Sequence, residues 1–276
     1  MRSRFTYLFM LAAAMAACGD AGTTEPTPTP TPPDPIPAVP LREIVIPNLP
    51  SPYYHFDYDA AGRVRAASFA SGLRIYTVTH DGDRITEVKN DALGNLDRLV
   101  YDYDGSGRVG EIRTIDRDGV LYIRLRLSYT DGKLTGLERK RLLAGVMVVE
   151  KTVSLAYHPD GNLKEIGEHR PRVEGRQEEA TTLVRFDQYD TRTNVDGFTL
   201  LQPEFFEHLI LLPFVQLQKG NPGRETRTGD GVNFIIDYVY DYDGSGRPLT
   251  KRGEGTFSSG TDAGRRFQTR ADFTYY

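Results

Sequence analysis

The sequence predicts an all-β fold: a large antiparallel meander of repeated β-hairpins, forming a strongly curved sheet or a half or full barrel, with one short helical insertion packed on the concave face. Three observations predict it. The nonapeptide Val100 to Arg108, Val-Tyr-Asp-Tyr-Asp-Gly-Ser-Gly-Arg, recurs unchanged as Val239 to Arg247, which marks a repeated structural unit. Turn glycines from Gly62 to Gly175 recur at intervals of 10 to 16 residues, the spacing of short strands joined by tight turns. Between turns the residues alternate: Leu121, Ile123, Leu125, Leu127 and Tyr129 share one face, while Tyr122, Arg124, Arg126 and Ser128 share the other. One face is buried and one is wet.

Residues 1–17 form a targeting segment. Arg2 and Arg4 supply a basic start, Phe5 to Ala14 an apolar stretch too short to span a bilayer, and Met15-Ala16-Ala17 a small-residue cleavage site. Cys18 follows, and it is the only cysteine of the chain. Without a partner thiol it has no disulfide to make, and its position resembles the lipobox of bacterial lipoproteins, which implies acylation there. The alternative is an ordinary cleaved leader with an incidental cysteine. Two or three acyl chains anchor stably, so the protein is expected to sit on a membrane without crossing it. Gly19 stands where an Asp would signal inner-membrane retention, so an outer-membrane lipoprotein is expected, on the periplasmic side or at the cell surface.

Residues 18–50 read as a lipid-anchored tether, since the alternation of Thr and Pro from Thr27 to Pro33 favours an extended polyproline II spacer. Residues 51–276 are long enough for a single β-meander domain. With 34 basic and 38 acidic residues the net charge is −4, and no single-sign field points to nucleic acid or to anionic lipid. The lipid is the only membrane contact expected. A protein or glycan partner stays open, and the oligomeric state is not encoded in any motif.

Within the domain, the hairpin unit is two strands long. Its turns carry an aromatic, an acidic residue, glycine and then a basic or polar residue: Tyr58-Asp59 to Gly62, Asp104 to Gly107, Asp160-Gly161 and Asp243 to Gly246. Asp81-Gly82, Asp118-Gly119 and Asp131-Gly132 add the Asp-Gly pairs that suit tight hairpin turns. These are assigned as structural turns. A membrane-spanning barrel is disfavoured, because Arg124 and Arg126 lie mid-strand and Glu138 to Arg141 is a run of charge, whereas lipid-facing Arg or Lys costs about 2–4 kcal/mol at the midplane.

The spacing breaks between about 190 and 223. Gln202 to Leu211 predicts a short helix over 203–211, with Pro203 and Glu204 in its first turn and Pro213 beyond its end. Phe205, Phe206, Leu209 and Ile210 make it apolar, so it needs burial, as a plug in the sheet or as a lid over a ligand. These residues are the candidate ligand region.

At this point the residues resemble two families. The Tyr-Asp-x-x-Gly-Arg pattern is similar to the YD repeats of Rhs-type proteins, which implies a β-meander shell. The order of lipobox, Pro/Thr tether, Tyr-Asp hairpins, the segment Phe186 to Asp190, the insertion and Gly220-Asn221-Pro222 resembles a Gram-negative lipoprotein family of unknown function with a porin-like β fold. That resemblance implies architecture and no catalytic residue.

Chemistry is sparse. Asp102, Asp104, Ser106 and Gly107, like Asp241, Asp243, Ser245 and Gly246, match the first positions of a calcium loop, but the twelfth positions are Arg113 and Arg252 rather than Glu. Turn hydrogen bonds are the favoured reading and no metal is expected. The histidines His55, His80, His158, His169 and His208 have no metal-ligand spacing, and no cofactor motif is present. A non-catalytic binding or structural module is expected. The alternative is a hydrolase of envelope polysaccharide, whose first candidate carboxylates are Glu204, Glu207, Asp187 and Asp190.

Overall fold

The structure, a computed structural model, describes residues 41–92, 96–195 and 210–276. The stretch expected to be a targeting segment, Cys18 and the Thr/Pro tract lie outside the described residues. Sixteen strands follow one another: β1 (Leu41–Val45), β2 (Tyr54–Tyr58), β3 (Val64–Phe69), β4 (Arg74–Asp81), β5 (Arg84–Asn90), β6 (Arg98–Tyr103), β7 (Val109–Ile115), β8 (Leu121–Thr130), β9 (Lys133–Leu143), β10 (Val146–Tyr157), β11 (Leu163–Arg170), β12 (Ala180–Asp187), β13 (Arg224–Gly229), β14 (Phe234–Tyr242), β15 (Pro248–Phe257) and β16 (Arg266–Tyr275). Each pairs antiparallel with the next, and β1 pairs with β16, with Leu41 opposite Tyr275 and Ile44 opposite Phe273. The meander therefore closes into a barrel and leaves no free edge.

Three expectations are corrected here. The sheet is a full barrel rather than a half barrel. The barrel also begins at Leu41, inside the stretch 18–50 read as tether, because a register shift between Leu41 and Glu43 lets both Leu41 and Ile44 join the buried core. The described residues contain no helix: positions 203–209 of the expected helix lie outside them, and Ile210 and Leu211, its last two positions, are not helical.

The alternation of each strand sends its apolar residues to the lumen. Phe56 of β2, Tyr76 of β4, Leu99 of β6, Ile112 of β7, Leu134 of β9 and Leu163 of β11 are all essentially inaccessible and belong to one cluster. Such a side chain contributes roughly 1.5–3 kcal/mol by leaving water. A barrel of sixteen strands would ordinarily enclose an aqueous channel. Here Val195, Ile210, Leu211, Leu212, Val215 and Leu217, from the connection between β12 and β13, are buried in the same cluster. The insertion thus packs apolar side chains into the lumen as expected of a plug, but not as a helix in its described part.

The barrel has two rims. At the tether rim, where the chain enters at Leu41, lie the turns 59–63, 82–83, 104–108, 131–132, 158–162 and 243–247 and the feet of the insertion. At the distal rim lie 46–53, 70–73, 91–97, 116–120, 144–145, 171–179, 230–233 and 258–265, of which 93–95 are outside the described residues.

Candidate functional site

The repeated turn motif builds a collar at the tether rim. In the 104–108 turn, Asp104 Oδ1 accepts the backbone N–H of Ser106 and of Arg108, each at 2.9 Å, and its Oδ2 accepts Arg108 Nε at 3.1 Å. Asp59 with Arg63 and Asp243 with Arg247 repeat the arrangement. Gly107 and Gly246 hold φ of +77° and +82°, where a Cβ is strained. Hydrogen bonds from the Arg63 side chain and backbone bring the Asp59 carboxyl down to about 2, and those from Arg247 hold Asp243 well below the usual carboxylate range.

Four tyrosines near the strand ends at this rim are partly buried and reach back one hairpin. Tyr103 Oη donates to the Ile85 carbonyl at 2.9 Å, Tyr129 to Val109 at 3.0 Å, Tyr157 to Leu134 at 2.7 Å and Tyr189 to Leu163 at 2.6 Å. Burial pushes the Tyr103 hydroxyl up to about 12 and raises the other three. The basic residue after each turn then covers the next tyrosine: Arg84 lies over Tyr103, Arg108 over Tyr129, Lys133 over Tyr157 and Arg247 over Tyr275, at 4.5–5.1 Å from the ring centroids. In β4 the tyrosine position is taken by His80, opposite Ile85. The motif links hairpin to hairpin and leaves the aspartates occupied.

The calcium-like loops are filled in the same way. Asp102 pairs with Arg113 at 2.7 Å and Asp241 pairs with Arg252, so the arginines at the twelfth positions neutralise the first aspartates. Among the described residues no group of His, Cys, Asp and Glu is arranged to hold a metal ion.

The feet of the insertion meet in a polar knot at the tether rim. Asn162 Oδ1 accepts the N–H groups of Lys219 and Gly220 at 2.7 and 3.0 Å. Asp190 accepts the N–H of Asn221 and of Arg192, and the Tyr242 hydroxyl. Gly220 lies so close to the Asp190 backbone carbonyl that no Cβ would fit. Asp187 is 3.7 Å from His158 Nε2. Of the candidate ligand region, Ile210 is buried in the lumen, whereas Phe205, Phe206 and Leu209 lie outside the described residues, as do Glu204, Glu207 and His208.

The charge run Glu138 to Arg141 is split by the strand alternation. Glu138 and Lys140 pair with each other on the outer face, while Arg139 and Arg141 turn into the lumen and share Glu150 at 3.3 and 3.1 Å. Beside them Lys151 and Glu168, both nearly inaccessible, pair at 3.1 Å, and Arg170 adds a second cation to Glu168. Tyr122 donates to the buried Asp97 at 2.5 Å. Burial works to raise the Glu150 carboxyl, but Arg139 and Arg141 outweigh it and hold it below its ordinary value; burial lowers the Lys151 ammonium against the pull of Glu168. These charges escaped the sequence reading, although charged residues at inward positions of the alternation were the available signal. The described carboxyls displaced from their usual range, among them Asp104, Glu150, Asp160 and Asp241, all move downward. A general acid needs the opposite shift.

The outer face carries a ladder of ion pairs. Arg126 pairs with Glu111, Arg185 with Glu165, Arg224 with Asp237, and Arg270 with Asp272, all in the outward ladder. One groove of about 320 Å³ opens there, with Ala66 and Ser68 of β3 as its floor and His55, Asp57 and Ile75 as its walls.

No family model matches the chain, and no curated protein is significantly similar to it. Solved structures do resemble it. A porin-like protein from Bacteroides uniformis superposes with a TM-score of 0.59 at 13% identity, over 91% of this chain and all of the other. A porin-like protein from Bacteroides vulgatus gives 0.53 at 13% identity, over 87% of this chain and 99% of the other. At that identity the likeness is one of fold, and the chain has the porin-like antiparallel barrel.

Proposed function

We propose that the protein is an envelope lipoprotein, acylated at Cys18 and tethered to the outer membrane, whose filled barrel stands in water as a non-catalytic binding or structural module. The hairpins are, in this reading, a YD-type repeat closed on itself. The observation that carries it is the direction of the barrel's polarity. A spanning barrel is apolar outside and polar inside, whereas here aliphatic side chains fill the lumen and Arg113, Arg126, Arg185, Arg224, Arg252 and Arg270 face outward in ion pairs along successive strands. At about 2–4 kcal/mol for each such residue near the midplane, a lipid-facing position is heavily opposed. The leader, Cys18 and the Thr/Pro tract supply an attachment that does not need the barrel wall. The porin-like neighbours are consistent with an outer-membrane or envelope location.

The test is protease cleavage of the membrane-bound full chain within the tether, followed by detergent phase partition. The released barrel is expected in the aqueous phase, and mass spectrometry of the N-terminal peptide is expected to find acyl chains on Cys18. A barrel that stays in the detergent phase after cleavage would sink the reading.

A further inference from the structure

Large exposed aliphatic side chains are not scattered over this barrel. Six of them stand at six different connections of the distal rim: Leu49, Leu73, Leu96, Val120 and Val232 on loops, and Val146 at the first position of β10, with exposures from 44 to 70%. Ile75 and Ile235, also exposed, sit at the second positions of strands that leave this rim. Among the described residues the tether rim shows only Leu249 and Tyr276 of this kind, and the wall between them only Val239. Isolated surface aliphatics need no explanation, but a ring of them on one end of a barrel does.

We infer that the distal rim is a bilayer-docking surface, on which the loop aliphatics enter the interfacial layer of the membrane that holds the lipid anchor. The inference rests on the lipid-anchored reading above. The side chains rise from separate connections around a ring roughly 30 Å across, from ~4.8 Å per strand at a tilt of ~40°, so they offer no groove to a peptide and match a flat, fluid surface. Aromatic rings, which favour the membrane interface, stand beside them: Phe257 against Phe267 at 4.6 Å and Tyr53 against Phe69 at 4.8 Å. The reach is sufficient. The chain from Cys18 to Pro40 spans up to ~70 Å at ~3.1 Å per residue, and the longest strand, of 12 residues, about 40 Å at ~3.3 Å per residue. The barrel can therefore turn its far end to the bilayer even though the tether enters at the other rim. Tethering raises the local concentration, so a weak interfacial contact is enough.

The test uses the full acylated chain on phosphatidylethanolamine and phosphatidylglycerol vesicles containing brominated lipid. Acylated Cys18 has no free thiol, so an environment-sensitive fluorophore can be placed singly at Leu73→Cys, Val146→Cys or, on the tether rim, Ser245→Cys. The labels at 73 and 146 are expected to be quenched about twofold or more beyond the label at 245. Equal, aqueous emission at all three overturns docking, and the anchor reading survives it if the N-terminal peptide carries acyl chains. Quenched rim labels on an unacylated peptide uphold docking and remove the anchor. Rim labels shielded from iodide in intact envelopes yet untouched by brominated lipid overturn it in favour of a protein partner.

Discussion

The guanidinium carbon of Arg108 lies 4.7 Å from the centre of the Tyr129 ring, so the turn that closes one hairpin covers the aromatic that closes the next. The Tyr129 hydroxyl returns the connection by donating to Val109, the residue after that arginine. Replacing Arg108 by Ala and Tyr129 by Leu, singly and together, is expected to reveal a coupling of about 0.5–1 kcal/mol. Tyr129→Phe, which removes only the hydroxyl, should cost about 1 kcal/mol. Denaturant melts of the wild type and these four variants measure both, and strict additivity would show that the ring and the guanidinium are merely adjacent.

The collar also sets an alkaline limit. Tyr103 is raised to about 12 by burial, and Tyr129, Tyr157 and Tyr189 are raised as well. A folded-state value above the unfolded value near 10 means that the protonated form is favoured by folding. That stabilisation is complete below pH ~10 and is lost as pH rises through the folded values. Melting temperature should therefore fall above pH 10, and tyrosinate absorbance should rise together with unfolding. Early titration of these tyrosines in an intact fold would contradict the assignment.

Gly107 and Gly246 occupy matching turns of the repeated nonapeptide, both at positive φ. At Gly246 an added Cβ would meet nothing closer than the Arg192 side chain at 3.5 Å, so a substitution there tests backbone strain rather than crowding. Gly107→Val and Gly246→Val should each destabilise by ~1–3 kcal/mol in thermal melts. Tolerance at both sites would mean that the turns can adopt another backbone path.

The luminal pair Lys151 and Glu168 gives a larger effect. Glu168→Gln leaves the Lys151 ammonium in a site of low accessibility without its carboxylate at 3.1 Å, and about 3–5 kcal/mol should be lost. Glu165→Gln, which breaks the outward pair with Arg185, should cost no more than ~1 kcal/mol, because both of its groups remain in water. Equal losses in the two variants, read by urea denaturation, would show that the lumen is as well solvated as the wall.

The hairpin order was legible because it is written locally. Alternation marks Leu121 to Tyr129 as a strand whichever fold surrounds it, and Asp-Gly or Asp-x-x-Gly marks its ends. The repeated Tyr, Asp, Gly and Arg were legible as a frame, and the structure supplies the reason: aspartate closes the turn, glycine takes the positive φ, tyrosine bonds backward and arginine stacks forward. The helix expected over 203–211 is judged only at its end, since positions 203–209 lie outside the described residues. Ile210 and Leu211 are buried in the lumen without helical geometry.

By itself, the sequence determined the strands, their turns and the two-strand repeat. Only the tertiary structure decided that the meander closes through β1 and β16, that its apolar face looks inward, and that Arg139, Arg141 and Lys151 are luminal while Glu138 and Lys140 are not. The physical reason is that a period of two fixes which residues share a face but not which face meets water. Closure brings Leu41 against Tyr275 from opposite ends of the domain, and no local pattern encodes that contact. The ring of aliphatic residues on the distal rim is hidden for the same reason: Leu49 and Val232 come to share one rim only when sixteen strands return to their starting point.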